Sequence, residues 1–347
     1  MPIVIVTSDC CRLHQPPPGH PERPERHDAM SVLAGQWHER GAQVVEPERA
    51  TRVQLARVHD EEYLDQLEQT SGHAVMLDPD TFTSPESWDV ATVAAGAAVR
   101  AVDAVLGGPI DKAAALVRPP GHHAERSRAM GFCLLNNVAI AAAEALARGI
   151  ERVAIVDFDV HHGNGTQGAF LADPRVLFVS THQWPYYPGT GHESEVGIGD
   201  GEGFTVNVPM EVGARDDDYD VVFRQIVVPI VTQFNPGLLL VSAGYDAHEL
   251  DPLGGMRMTD LGFARLTRHL VGLAGQSSSG RLVMVTEGGY HLPALAASLD
   301  ASLRVLDGED AAGIAATTAP TPAQPSVRGD VAVKKVRATQ ARYWRGL

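Results

Sequence analysis

Short runs of apolar residues recur along the chain, separated by longer segments in which apolar positions follow a helical period. The short runs lie between turn-forming residues, which is typical of buried strands. Eight strands are predicted, near residues 3–6, 43–45, 114–117, 153–158, 176–180, 204–208, 238–242 and 282–286. The predicted helices between them include residues 85–106, 134–148, 217–234 and 259–274.

This alternation predicts an α/β fold, with a single domain built on an eight-stranded, mostly parallel sheet flanked by helices. In such a sheet, ligands bind beyond the carboxyl ends of the strands. Residues 1–306 are predicted to form this domain, because no linker divides them and a chain of 347 residues can bury a large core. Chemically reactive residues are therefore most informative where an apolar strand ends.

The composition changes after residue 306. Residues 307–329 are rich in Ala, Thr, Pro and Gly, which predicts a surface connector. Residues 330–347 carry basic side chains of the kind found in nucleic-acid-binding tails, but they also contain apolar residues that need burial. We therefore expect a C-terminal helix that packs on the same domain through Val331, Val333, Val336, Tyr343 and Trp344.

The formal net charge of −15 argues against direct binding of nucleic acid and favours cationic substrates or basic protein tails. The sequence has no run long enough to cross a bilayer and begins with a strand, so we expect a cytoplasmic protein with no membrane partner. Cys10, Cys11 and Cys133 are an odd set, which argues against a disulfide framework. The oligomeric state is open, and a homo-oligomer is compatible with the sequence.

Candidate metal ligands follow two of the predicted strands. The strand at 153–158 leads into Asp159 and His161, whose side chains point the same way because they lie two residues apart. The strand at 238–242 leads to Asp246, the candidate third ligand. One histidine and two carboxylates leave coordination positions open, as in a catalytic zinc site. A solvated turn is the alternative for the first motif taken alone.

Two more strand ends carry candidate catalytic groups. After the strand at 114–117, a Pro-Pro-Gly turn leaves His122 and His123 side by side. Paired imidazoles beside a metal can take a proton from water and return it to a leaving group, although exposed loop histidines are the alternative. After the strand at 282–286, two glycines let the backbone approach a ligand, and Tyr290 can polarise a carbonyl.

Seven segments with distinctive motifs follow one another between residue 20 and residue 290. They are His20-Pro-Glu-Arg-Pro24, Arg118-Pro-Pro-Gly-His-His-Ala124, Gly131-Phe-Cys-Leu-Leu-Asn-Asn137, Asp157-Phe-Asp-Val-His-His-Gly-Asn-Gly-Thr166, Ser242-Ala-Gly-Tyr-Asp-Ala-His248, Asp251-Pro-Leu-Gly-Gly255 and Glu287-Gly-Gly-Tyr290. With these motifs, the chain from residue 20 to about residue 305 resembles the histone deacetylase superfamily. The class II and bacterial acetylpolyamine amidohydrolase branches are more similar to this chain than class I. The resemblance implies the arginase/deacetylase fold, zinc as cofactor, and hydrolysis of an amide that releases acetate.

The resemblance also implies roles by position. Asp159, His161 and Asp246 match the zinc ligands, in agreement with the argument from the strand ends. Tyr290 matches the tyrosine that stabilises the transition state. The sequence does not distinguish zinc from ferrous iron. An arginase-like site with two metals is disfavoured, because histidines replace the carboxylates of the second metal.

The histidine pair receives distinct roles from the same resemblance. His123 matches the general base and acid, and His122 matches its partner, which contributes electrostatic stabilisation. Asp157 is expected to orient His122, and Asn164 is expected to orient His123. Class I members have Asp where Asn164 stands. A neutral amide favours a charged imidazolium less than a carboxylate does, so the pH profile is expected to differ from class I.

Other matched residues concern the substrate. Phe132 and Tyr187, with the neighbouring Gly131 and with Gly289, match the tunnel that holds an acyl-lysine side chain. The family more often has Phe at the position of Tyr187, for which core packing is the alternative. Asp80 matches a rim position that holds the substrate backbone, with a turn carboxylate as the alternative.

Arg26 matches an arginine of the exit channel below the zinc, and a surface arginine at a helix start is the alternative. The resemblance also implies two structural potassium sites. The first uses Asp157, Asp159, His161, Ser180 and Thr181, and the second uses Phe170, Asp173, Val176 and Phe204.

Two substrate classes stay open, acylated lysine in peptides or proteins and small N-acetylated amines such as acetylpolyamines. Relatives selective for polyamines carry Glu at the position of Leu253, where a carboxylate recognises a distal ammonium. Leu253 therefore favours acyl-lysine. A catalytically silent scaffold that binds acetyl-lysine is a third hypothesis, which the intact set of ligands and Tyr290 disfavours.

Overall fold

The computed structural model describes residues 3–309 and 325–347, and it confirms the predicted fold class. One sheet contains eight strands, all of them parallel to their neighbours. The predicted strands are β1 (Val4–Val6), β2 (Gln43–Val45), β5 (Lys112–Ala115), β6 (Val153–Asp157), β7 (Val176–Gln183), β8 (Thr205–Met210), β9 (Leu238–Ala243) and β10 (Leu282–Thr286). A separate antiparallel hairpin of β3 (Val75–Asp78) and β4 (Thr81–Thr83) was not predicted.

The order of strands in the sheet is β2-β1-β5-β10-β9-β6-β7-β8. The four strands that lead into the candidate motifs, β5, β10, β9 and β6, are therefore consecutive neighbours. Because they are parallel, their carboxyl ends lie side by side at one edge of the sheet. The register pairs Asp157 of β6 with Ser242 of β9, and Ala243 of β9 with Thr286 of β10. The topology thus gathers residues that are more than 100 positions apart in the sequence.

Helices cover both faces of the sheet and account for the four predicted helical segments. The segment predicted as one helix over residues 217–234 is interrupted by a π-helical turn at Phe223–Val227. Pro229 follows this turn and has no N–H to donate to the preceding turn, which favours a break in the hydrogen-bond ladder. The helices are α1 (Pro24–Glu39), α2 (Arg52–Leu55), α3 (Glu61–Glu68), α4 (Ser87–Leu106), α5 (Asn137–Ala147), α6 (Asn164–Phe170), α7 (Asp216–Val222), α8 (Val228–Phe234), α9 (Asp260–Ser277), α10 (Leu292–Leu306) and α11 (Val327–Gln340).

Two apolar clusters lie on the two faces of the sheet. One contains side chains of α1, α7, α8, α9, α10 and α11, and the other contains side chains of α3, α4 and α5. Except in the edge strand β2, the strand residues between them are almost completely buried. Burial on both faces explains why these strands are continuous apolar runs in the sequence. No helix in the described parts of the chain is long and apolar enough to span a bilayer.

The C-terminal helix α11 packs along β8, the last strand of the sheet. Gln340 Nε2 donates to Thr205 O at 3.0 Å, and Trp344 Nε1 donates to Gly203 O at 3.1 Å. A covered edge strand cannot pair with a strand of another chain. The helix begins at Val327, before the predicted boundary at residue 330. Residues 310–324 of the predicted connector lie outside the described residues.

Trp344→Ala is expected to lower the free energy of unfolding by about 3 kcal/mol, the lower end of the range for truncating a buried aromatic residue. The indole is 8% exposed and contacts Phe204 edge to face. Chemical denaturation followed by circular dichroism measures this change. Arg345→Ala, at an exposed neighbouring position, is the control and should change stability by less than about 0.5 kcal/mol. Equal stability of the two variants would show that the packing of Trp344 contributes little to the fold.

A candidate metal centre and active site

The three predicted metal ligands meet beyond the ends of β6 and β9. His161 Nδ1 lies 3.1 Å from Asp159 Oδ1 and 3.1 Å from Asp246 Oδ2. One ligand atom from each residue lies within 4.8 Å of the other two. Both carboxylates are completely buried and His161 is 9% exposed. The structure therefore brings together a buried cluster of two oxygen ligands and one nitrogen ligand.

The chemistry of this cluster fits a divalent cation. An imidazole nitrogen carries at most one hydrogen, so His161 Nδ1 cannot donate to Asp159 and Asp246 at once. Ligand bonds of about 2.0–2.2 Å in a tetrahedral zinc site place neighbouring ligand atoms roughly 3.3 Å apart, which is close to the observed separations. Burial and the nearby Asp159 carboxylate together raise the pKa of Asp246 to about 7, although His161 opposes the shift. A cation between the three side chains removes this repulsion.

Backbone N–H groups hold the two carboxylates in place. Gly288 N donates to Asp159 Oδ2 at 2.8 Å, and Val160 N donates to Asp246 Oδ1 at 2.8 Å. A Cβ atom at Gly288 would lie 2.2 Å from Asp246 Oδ2 and 2.7 Å from Asp159 Oδ2. Only glycine permits this approach. Gly288, the first glycine of the Glu-Gly-Gly-Tyr motif, is therefore required for the packing of Asp159 and Asp246.

His122 and His123 lie between the cluster of predicted metal ligands and the side chains of Asp157 and Asn164. The rings of His122 and His123 have centroids 4.0 Å apart. His122 Nδ1 lies 3.0 Å from Asp157 Oδ2, and His123 Nδ1 lies 2.8 Å from Asn164 Oδ1. The structure therefore places each predicted orienting residue against its predicted histidine.

The two histidines differ in charge because their partners differ. Burial alone would lower the pKa of His122, but the carboxylates of Asp159 and Asp157 raise it to about 10. A divalent cation bound to Asp159 offsets part of the negative charge near His122, so the pKa of about 10 applies to the metal-free protein. Burial, His122 and His161 lower the pKa of His123 well below its ordinary range. His123 is therefore neutral at pH 7 and able to accept a proton.

Glu287 holds the histidine loop, a role that the motif analysis missed. Its Oε2 accepts hydrogen bonds from Gly121 N at 2.7 Å and His122 N at 3.1 Å. Its Oε1 accepts from the Ser242 hydroxyl at 3.0 Å. Glu287 is fully buried, and burial raises its pKa to about 7. A carboxylate directly after β10, a strand with four apolar residues before Thr286, was the available signal.

A cavity of about 160 Å³ opens beside these groups. It is lined by every predicted substrate-binding residue except Gly289, and by His123 and Tyr290, which are predicted to be catalytic. Its lining residues are Asp80, His123, Gly131, Phe132, His161, Tyr186, Tyr187, Leu253 and Tyr290.

Aromatic rings form the walls of this cavity. The Tyr187 ring meets His123 edge to face, with centroids 5.1 Å apart, and the Phe132 ring meets Tyr290 in the same way at 5.8 Å. Tyr187 is 36% exposed, which does not fit the alternative of a core residue. Gly131 has a φ of +57°, and a Cβ atom there would lie 2.4 Å from the His123 ring.

Tyr186 was not among the predicted site residues, yet it covers one of the predicted metal ligands. Its ring stacks on His161 with centroids 5.4 Å apart and an interplanar angle of 18°. Its hydroxyl donates to Leu253 O at 2.8 Å. Tyr186 therefore joins the loop after β7 to the loop that carries Leu253, across the mouth of the cavity.

Tyr290 is positioned by a carboxylate and an arginine. Asp251 Oδ2 accepts from Tyr290 N at 2.6 Å, and the Arg26 guanidinium carbon lies 4.9 Å from the centroid of the phenol ring. Burial raises the pKa of Tyr290, although Arg26 opposes this shift. The phenol therefore stays protonated at neutral pH and is available as a hydrogen-bond donor.

Arg26 is completely buried, which excludes the alternative of a surface arginine. Its Nε donates to Gly289 O at 2.7 Å, and its Nη1 donates to Glu22 Oε1 at 3.1 Å. Glu22 also accepts from Arg118 Nε at 2.8 Å and Arg118 Nη2 at 2.7 Å. Burial alone would raise the pKa of Glu22, but Arg118 and Arg26 lower it to about 2. The exit-channel role of Arg26 stays a prediction.

Asp80 lies at the cavity and also fastens its wall. Its Oδ1 accepts from Gly131 N at 3.2 Å and from the Thr81 hydroxyl at 2.9 Å. Burial raises the pKa of Asp80 above its ordinary range. The carboxylate is thus fixed in orientation before any substrate binds.

The residues predicted to bind potassium fall into two groups in space. In the first, Asp157 pairs with Ser180 across β6 and β7, and the Thr181 hydroxyl donates to Asp157 O at 3.4 Å. In the second, a turn is closed by bonds from Asp173 N to Phe170 O at 3.0 Å and from Val176 N to Asp173 O at 3.2 Å. The carbonyl of Phe204 accepts from Phe178 N at 2.9 Å on the adjoining strand.

Residues 20–306 match the family model described as the histone deacetylase domain. A "Probable deacetylase" of Archaeoglobus fulgidus is 44% identical over 283 residues, which cover 80% of this chain and 78% of that protein. The human "Polyamine deacetylase HDAC10" is 39% identical over 348 residues, 94% of this chain and 50% of that protein. The crystal structure of the HDA15 HD domain superposes with a TM-score of 0.90 at 37% identity, covering 99% of this chain and 95% of that one. The chain belongs to the histone deacetylase family.

Proposed function

We propose that this deacetylase is a zinc-dependent amidohydrolase that removes acetyl or related acyl groups from the ε-amine of acyl-lysine and releases acetate. One observation carries the proposal. His161, a member of the buried cluster with Asp159 and Asp246, lines the same cavity as neutral His123 and protonated Tyr290. In this proposal residues 1–306 form the catalytic domain, and the C-terminal helix packs on it. When bound, zinc supplies Lewis acidity toward the acyl carbonyl and the attacking water.

The side chains of the cavity perform the remaining steps. His123 accepts the proton of the attacking water, since it is neutral and its Nδ1 is already paired with Asn164. The Tyr290 hydroxyl donates a hydrogen bond to the developing oxyanion. His122, paired with Asp157, contributes positive potential. His123 then returns the proton to the departing amine. Because water is the attacking group, no covalent intermediate is required.

The aromatic walls support a long aliphatic substrate. The rings of Phe132 and Tyr187 can contact both sides of a lysine stem, while Asp80 at the same cavity can accept from the substrate backbone. Deacetylation of acetylpolyamines is the second candidate function, because the human relative is named a polyamine deacetylase. Leu253 at the mouth of the cavity supports acyl-lysine, since it offers no charge to a distal ammonium.

Structural potassium sites are part of the same proposal. Buried backbone and hydroxyl oxygens at the ends of β6 and β7, including those of Asp157, Ser180 and Thr181, support the first site. The carbonyl groups of the turn over residues 170–176 support the second. Oxygen ligands of this kind suit hard monovalent cations.

Asp246→Ala is expected to remove both the bound metal and the activity, because it deletes one of the two carboxylate ligands. Elemental analysis of the purified variant measures the metal, and acetate release measures the activity. Asp200→Ala, which removes an exposed carboxylate, is the control and should retain both. Metal bound at the parent stoichiometry in Asp246→Ala would show that Asp246 is not a ligand.

Tyr290→Phe is expected to keep the fold and the metal but to lose roughly 10²–10³-fold in kcat, the usual effect of deleting one oxyanion donor. The loss should appear in kcat more than in KM, since the hydroxyl acts on charge that develops in the transition state. Tyr343→Phe is the control. It removes a phenol hydroxyl near the C-terminus that donates to Glu202, and it should leave kcat unchanged. Parent turnover in Tyr290→Phe would refute the assignment.

Leu253→Glu is expected to shift the ratio of kcat/KM toward acetylpolyamines and away from acetyl-lysine peptides, because a carboxylate at the mouth can pair with a second ammonium. A charge pair at a protein surface is worth about 0–1 kcal/mol, so the shift should be modest. Leu250→Glu adds the same charge at a 58% exposed position of the same loop and serves as the control. An unchanged ratio, or a parent that already strongly prefers acetylpolyamines, would reverse the ranking of the two substrate classes.

A further inference from the structure

The amide of Asn164 has a second partner, on the side away from His123. Asn164 Nδ2 donates to Glu125 Oε1 at 2.8 Å and lies 3.3 Å from Met130 Sδ. Asn164 Oδ1 faces His123 Nδ1 at 2.8 Å. Both hydrogens of the amide therefore point at acceptors, and its oxygen is directed at the imidazole.

The direction of these bonds determines which nitrogen of His123 carries the hydrogen. A carboxylate only accepts hydrogen bonds, so Glu125 selects the NH₂ end of the Asn164 amide. The oxygen end is left for His123, and because this oxygen also only accepts, His123 Nδ1 must be the donor. A neutral imidazole has one hydrogen, so Nε2 is then the free acceptor. With the amide reversed, Nδ2 would donate to Nδ1 and Nε2 would carry the hydrogen.

The backbone holds Glu125 firmly although its carboxylate reaches the surface. Glu125 N donates to Arg128 O at 2.9 Å, and Glu125 O lies 2.9 Å from Nδ1 of His59. His59 is 1% exposed, and its Nε2 accepts from Asn136 N at 3.0 Å. The Glu125 side chain is 38% exposed and lies 3.1 Å from Arg128. An exposed ion pair of this kind contributes little by itself, so the bond to Asn164 is the specific one.

We propose that Glu125 is a positioning residue that selects, through Asn164, the tautomer in which His123 Nε2 can accept a proton. Its consequence for catalysis rests on the proposed function, but the tautomer itself does not. Among the described residues, those that line the cavity do not include Glu125. Its removal should therefore affect the proton-transfer step without affecting substrate binding.

Glu125→Ala is expected to lower kcat by about 10–100-fold, the usual effect of removing a residue that orients an active-site ligand, with KM unchanged. Glu125→Gln should recover most of this loss, since the glutamine oxygen can still accept from Asn164 Nδ2. Arg128→Ala removes the ion pair and the contact of Arg128 Nη2 with Met130 Sδ but keeps both acceptors of the Asn164 amide, so it should behave as the parent. A loss in Arg128→Ala equal to that in Glu125→Ala would overturn the proposal, because the ion pair would then be the cause.

In a second background, Glu125→Ala is expected to cause no loss of kcat. In the Asn164→Asp variant, the carboxylate at position 164 would face the Glu125 carboxylate, and the two charges would repel each other. Adding Glu125→Ala to this variant should therefore cause no loss of kcat. A loss of the same size in both backgrounds would show that Glu125 does not act through the amide, and the proposal would fail.

Nitrogen NMR of zinc-loaded protein with ¹⁵N-labelled histidine reports the tautomer without any turnover. The His123 signals are identified by their loss in His123→Phe. We expect Nδ1–H in the parent and in Glu125→Gln, and a mixture of the two tautomers in Glu125→Ala. The same tautomer in the parent and in Glu125→Ala would refute the inference. If the tautomer changes but no acyl-lysine substrate is hydrolysed, the inference stands and the proposed function fails.

Discussion

The buried negative charge at the carboxyl edge of the central strands is the constraint that the rest of the site satisfies. Asp157, Asp159, Asp246 and Glu287 are all completely inaccessible to solvent. Burial of a single unpaired carboxylate costs several kcal/mol, so four of them require compensation. Backbone N–H groups supply part of it, the imidazole of His122 supplies another part, and the cluster with His161 offers a place for a divalent cation. The candidate metal cluster and the difference in pKa between the two histidines thus have one electrostatic origin.

A second buried charge cluster aligns the catalytic loops with each other. Glu22 binds both Arg118, at the start of the histidine loop, and Arg26, whose guanidinium reaches the turn before Tyr290. Arg118 also donates to the backbone oxygens of Cys11 and His14, at 2.6 and 2.7 Å. The histidine loop and the tyrosine turn are therefore held by a common rigid group. This shared anchor is how residues 167 positions apart, such as His123 and Tyr290, are kept on one cavity.

Except for the edge strand β2, the strands of the sheet were predictable because they are buried on both faces and form apolar runs in the sequence. The limits of prediction appear where polar residues are buried. Strand β7 was expected to end at residue 180, but it continues to Gln183. Its last three residues, Thr181, His182 and Gln183, are buried and have hydrogen-bond partners. A hydrophobic pattern cannot reveal a strand of that kind. The hairpin of β3 and β4 was missed for a related reason, since its strands are short and only partly buried.

The sequence alone determined which residues we propose for the chemistry: Asp159, His161 and Asp246, the paired His122 and His123, and Tyr290. Their residue types are chemically distinctive, and their positions after apolar strands are local features that the topology of a parallel sheet converts into proximity. Only the tertiary structure decided what supports them. The supporting contacts of Glu22, Glu125, Glu287 and Tyr186 were not predicted from the sequence, because these partners lie far from them along the chain. A hydrogen bond depends on distance and direction in space, and for such pairs these exist only after the chain has folded.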